Sequence, residues 1–133
     1  MTDNLQKMLD HCVEYATELL DETGECYPFG AFLDTIENVH PLEMEVNPKK
    51  LPNIGEVMEN LEKYCKLEIA EKRMNGYALC YEVGYTLDAE EGEQQAIAVE
   101  MHHINDKVEH NYYIPFTKGK EKTEIGLLFA VKK

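Results

Sequence analysis

The chain contains no serine and no tryptophan among its 133 residues. Without serine, a G-x-S-x-G nucleophile elbow cannot occur. Basic residues are almost missing from the first third. Residues 1–47 carry eleven acids against one base, Lys7, whereas residues 48–133 carry fifteen acids against twelve bases. A net charge of −13 works against binding to nucleic acid or anionic membranes, both of which select basic stripes. Neither is expected as a partner. A basic protein partner is what such a chain would attract.

Long apolar runs are also lacking. The stretch from Gly126 to Val131 is far too short to cross a bilayer. The opening MTDNLQKMLD has no charged-then-apolar leader. The four cysteines (Cys12, Cys26, Cys65, Cys80) never fall in C-x-x-C spacing. That argues against a zinc cluster or a disulfide framework and suits a reducing, cytoplasmic location. Cys26 could be an exposed thiol, but no basic residue adjoins it to lower its pKa. "YPFG" and "NG" do not amount to a glycine-rich phosphate cradle. No catalytic residue, cofactor or metal is expected.

What is present is 44% hydrophobic sequence, enough for a single core, and we read residues 1–133 as one domain. Asp3 and Gln6 have capping-box spacing. Leu5, Met8, Leu9, Cys12, Val13, Ala16, Leu19 and Leu20 then keep helical rhythm, predicting a helix over about 3–22. Tyr27, Phe29, Ala31 and Leu33 alternate as a strand, and a second follows from Val39 to Val46 around Pro41. Asn53 and Glu56 repeat the capping signal before a second amphipathic helix, which ends near Arg73.

From Gly76 the period becomes two. Four strands follow, through Tyr77–Leu87, Ile97–Met101, Val108–Phe116 and Ile125–Val131, joined by short turns as an antiparallel meander. The expected fold class is α+β, in the order α-β-β-α-β-β-β-β. Two amphipathic helices would pack on one face of an antiparallel sheet of about five to six strands. The covered face would bear Leu79, Val83, Val99, Tyr112, Leu127 and Phe129. The opposite face, with Ala78, Cys80, Ala96, Ala98, Tyr113 and Ala130, is too rich in small and apolar residues for water. It predicts a cover, a two-fold homodimer through the helix-free side or, in a monomer, the chain's own irregular segment 35–53.

The densest chemistry lies in AVEMHHINDKVEHNYYIPF, residues 98–116. A two-residue turn at Asn105-Asp106 sets His102 opposite Glu109, Glu100 opposite Asn111 and Ala98 opposite Tyr113. His103 falls on the other face, opposite Val108, with His110 opposite Met101. The set therefore divides between two faces, whereas a metal needs at least three converging ligands. Glu100, His102, Glu109, Asn111 and Tyr113 form a candidate binding patch. Ordinary cross-strand His–Glu pairing accounts for the same residues without any function.

The segments YPFGAFLD (Tyr27 to Asp34) and AIAVEMHHINDKVEHNYYIPF (Ala96 to Phe116) resemble those of a family of small uncharacterised bacterial proteins. That family carries a YPFGAxLD-like segment and a C-terminal histidine-containing β-hairpin. Phe116 stands where the family more often has tyrosine. The element order loosely resembles profilin-like and roadblock-type domains. The resemblance implies a bacterial cytoplasmic protein and supplies no catalytic residues. The leading expectation is a non-enzymatic binding or protein-interaction domain. An immunity-type inhibitor of a basic protein partner is one alternative. A small hydrolase using Glu100, His102 and Glu109 is the other.

Overall fold

The protein's architecture is taken from a computed structural model that describes residues 2–43, 53–86, 90, 92–108, 110–118 and 122–133. Its elements run α1 (Asp3–Thr23), β1 (Phe29–Leu33), β2 (Val39–Leu42), α2 (Ile54–Ala70), β3 (Gly76–Tyr85), β4 (Gln94–His103), β5 (His110–Lys118), β6 (Thr123–Ile125) and β7 (Phe129–Lys132). The fold is α+β, with every strand pair antiparallel. The sheet path is β2-β1-β3-β4-β5-β6, and β7 also pairs with β5.

Thr2, not Asp3, caps α1, accepting a hydrogen bond from the Leu5 amide. Gly24 closes the helix in the left-handed region at φ 81°, where glycine avoids the Cβ penalty. Asn53 caps α2 as its spacing predicts, its Oδ1 accepting from the Glu56 amide at 2.8 Å. That helix ends at Ala70, about a turn earlier than expected. The second strand is the short edge strand β2, a place that tolerates Pro41. Residues 44–46, Leu87 and Glu109 of the expected elements lie outside the described residues.

The expectation that both helices share one face is overturned. Alternate residues of β3 belong to two separate cores. Ala78 and Cys80 pack under α1 with Leu5, Met8, Cys12, Ile97 and Val99. Tyr77 and Leu79 pack under α2 with Val57, Leu61 and Cys65. The helices therefore lie on opposite faces of the sheet. The β3–β4 register sets Cys80 against Val99 and Leu79 against Glu100, so Leu79 and Val99 never shared a face. Period-two alternation sorts residues within one strand, but phasing between strands requires the register.

The expected last strand is broken in two by a β-bulge. Phe116 pairs with Ile125, and Tyr113 pairs with Phe129. Ile114 and Pro115 on β5 therefore oppose three residues, Gly126 to Leu128. Pro115 has no amide to donate to the ladder; its carbonyl accepts from Gly126 N at 2.7 Å. One extra residue also reverses the faces beyond it. Phe129 consequently joins Tyr113 on the α2 side, and Leu127 is pushed out to 91% exposure. The face proposed for dimerisation is corrected accordingly. Ala78 and Cys80 lie beneath α1, while Ala96, Ala98 and Tyr113 share their face with α2.

Candidate functional site

β4 and β5 keep the expected register, Ala98 against Tyr113 and Val99 against Tyr112. The two-residue turn at Asn105-Asp106 does not form. β4 runs on along β3 to the pair Gly76–His103, while β5 from His110 to Tyr113 pairs with β7. The ladder between β4 and β5 ends at Val99 and Tyr112. The expected pairings of Glu100 with Asn111, Met101 with His110 and His103 with Val108 are therefore absent among the described residues. Where β5 has parted, Lys133 Nζ donates at 2.8 Å to the carbonyl of Met101.

That parting opens a polar cavity of about 170 Å³ beside α2. Its polar lining comes from Glu62 of α2, Tyr77 of β3, Glu100 and His102 of β4, and Lys133. The Tyr77 and His102 rings lie 5.5 Å apart at a tilt of 32°. Burial pushes the Tyr77 hydroxyl up to about 12, with the Cys65 sulfur and the Glu62 and Glu100 carboxylates adding to the effect. It stays protonated, a donor. Burial also holds His102 below the ordinary histidine value, helped by the neighbouring Lys133, His103 and Lys66 side chains. The Glu62 and Glu100 carboxylates and the Lys133 ammonium thus border the same space as the Tyr77 hydroxyl and the His102 imidazole.

Of the expected patch, Glu100 and His102 meet in this cavity. Tyr113 instead stacks on Phe129 at 5.4 Å, part of an aromatic strip that continues to Tyr85. Asn111 turns a buried Oδ1 that has no hydrogen-bond partner among the described residues. Glu109 lies outside those residues. No cluster of three or more histidine, cysteine, aspartate or glutamate side chains is placed to hold a metal among the described residues.

A second polar arrangement escaped the sequence reading. His103 is 2% exposed at its side chain and meets Glu37 Oε1 through Nε2 at 2.8 Å. The Asn105 amide donates to Nδ1 at 3.0 Å, and Asn75 Nδ2 donates to the other Glu37 oxygen at 3.1 Å. Glu37 sits in the β1–β2 turn at φ 66°, a conformation uncommon for its residue type. The histidine's burial could be read from its apolar neighbours, but no local signal named Glu37.

The third feature is an apolar groove of about 300 Å³ on the α1 side, between α1 and the bulge after β6. Leu9 and Val13 of α1, Ile114 and Leu128 form its apolar walls, and Asp10 and Glu14 form its rim. Ile125, Leu127 and Leu128 stand 40%, 91% and 45% exposed alongside. Asp21 fixes the far end by accepting the Thr123 amide at 2.6 Å. All four cysteines are buried and unpaired. Cys26 is 3% exposed, so the idea that it is an exposed thiol is corrected.

No family model, curated protein or solved structure matches this chain. No helix among the described residues is long and apolar enough to cross a membrane.

Proposed function

We propose that this chain is a non-enzymatic protein-interaction domain whose partner presents a basic, amphipathic segment to the groove beside α1. One observation carries the reading: an apolar groove and an acidic rim occupy the same place. Scattered exposed apolar residues are ordinary on a soluble surface. Here Ile125 and Leu128 line one groove, and Leu127 stands exposed between them. The exposed α1 acids Asp10, Glu14 and Glu18 continue beside it. Apolar side chains would seat in the groove while lysine or arginine meets the rim, and the charges would speed encounter and exclude acidic competitors. An immunity-type inhibitor of a cationic protein is a special case of this mode.

The test is a titration of isotope-labelled protein with a synthetic amphipathic helix of leucine and lysine, followed by NMR. Saturable shifts confined to residues 9–18 and 124–128, weakened several-fold by Leu128→Asp or by added salt, are expected. Equal binding by the same peptide with glutamate for lysine would refute the proposal. So would shifts scattered over the whole surface.

Two other readings have a specific observation each. A homodimer would use the strip Tyr85, Tyr113 and Phe129, and Phe129→Glu would then halve the mass in sedimentation. A hydrolase would use Glu100 and His102, which share the polar cavity, and would be sought by screening ester and amide substrates against Glu100→Gln.

A further inference from the structure

The polar cavity beside α2 lies on the opposite face of the sheet from the α1 groove and is unused by the interaction reading. Helix–sheet interfaces are ordinarily closed by apolar side chains, as Val57, Leu61 and Cys65 close this one over Leu79. At its margin the lining changes character. Glu62 and Glu100 both stand close enough to bear on the Tyr77 hydroxyl, while the Lys133 ammonium bears on His102. Both signs of charge therefore border one space, together with a phenol donor and an imidazole.

We propose that this cavity is a binding site for a small zwitterion, a free α-amino acid with a short side chain. Its ammonium would seat between Glu100 and Glu62 beside the Tyr77 hydroxyl. Its carboxylate would meet Lys133 and His102. Lys133 spends one proton on the Met101 carbonyl and retains two for a ligand. Glu62 shares its charge with Lys66 at 2.9 Å, a pair exposed on α2, and Glu100 also accepts from the Tyr81 hydroxyl, so the two carboxylates anchor the ammonium together.

Size supports the class. At a liquid water's share of about 30 Å³, the cavity of about 170 Å³ holds about six waters, comparable to the six non-hydrogen atoms of alanine. An anion alone would face two carboxylates. An amine alone would leave the Lys133 ammonium unanswered. Only a ligand carrying both charges answers both signs in the lining.

The folded, isotope-labelled chain is titrated in parallel with alanine, ethylamine and acetate, reading the resonances of Tyr77, Glu100 and His102. Saturable shifts with alanine, at least about tenfold tighter than with either singly charged compound, are expected. Glu100→Gln, with its other resonances unmoved, should weaken alanine by about tenfold. Equal affinity for ethylamine or acetate would overturn the proposal, as would the absence of saturation by alanine up to about 10 mM. The α1 groove resonances stay still throughout, so failure here is distinguishable from failure of the interaction reading.

Discussion

Glu37 and His103 are 66 positions apart in sequence and meet at 2.8 Å, joining the β1–β2 turn to the end of β4. Because the Asn105 amide donates to Nδ1, that nitrogen keeps its lone pair, and Nε2 carries the proton it donates to Glu37. A neutral imidazole therefore satisfies both nitrogens. Asp106 Oδ2 lies 3.3 Å from the same nitrogen as the Asn105 amide, Nδ1.

Removing Glu37 leaves His103, 2% exposed, without its Nε2 partner, and removing His103 empties a buried site. His103→Ala should destabilise the fold by about 1–3 kcal/mol, read from urea midpoints. A double-mutant cycle with Glu37→Gln should show coupling of about 1 kcal/mol or more. Additive effects would mean that the contact contributes nothing to stability.

Acid should weaken the fold in two stages. His102 lies below the ordinary histidine value, so its contribution is present above about pH 6.5 and is lost as pH falls through the folded value. For Glu37, burial favours the protonated form, but the hydrogen bonds from His103 and Asn75 outweigh it and hold the carboxyl low. Asp34 is held low chiefly by the Asn38 amide, then by His40. Stability from these carboxylates is lost as pH falls below about 4. Urea midpoints should drop across both ranges. His102→Gln should flatten the first drop and Glu37→Gln part of the second.

Native thiols should react slowly. Burial, then the charges of Glu68 and Glu62, pushes Cys65 up to about 12. Cys80 is raised by burial and by contact with the Cys12 and Cys26 thiols. A thiolate-seeking reagent at neutral pH should modify all four only as the chain opens, so denaturant should accelerate modification sharply. Two fast-reacting thiols in the native protein would contradict the burial of this core.

Gly76 should tolerate no side chain. A Cβ there would stand 2.6 Å from the His102 carbonyl and 3.2 Å from His103 Cδ2. Gly76→Ala forces β3 away from β4 where the Glu37–His103 contact is made, and should cost about 1–3 kcal/mol. The loss should shrink in a His103→Ala background, where the crowded ring is gone.

Local pattern made the helices and most strands legible. Leu5, Met8, Leu9 and Cys12 bury one side of α1 because helical spacing alone places them on one stripe. Asn53 caps α2 because its side chain reaches an amide three residues away. The pair Ala98–Tyr113 was likewise legible, since alternation allows few registers once a hairpin is assumed. The candidate site was legible as residues but not as an arrangement. Glu100 and His102 were singled out for their chemistry, yet their cavity is completed by Glu62, Tyr77 and Lys133, which no spacing links to them. Whether both helices lie on one face depends on how β1 and β3 pair, a contact between distant segments. The bulge opposite Pro115 needed both strands in place before Leu127 and Phe129 could be assigned their sides. Sequence periodicity decided which residues of each element turn inward, because those forces act within a few residues. Only the tertiary structure decided which elements face one another, because strand order and register are set by contacts between segments that no local spacing specifies.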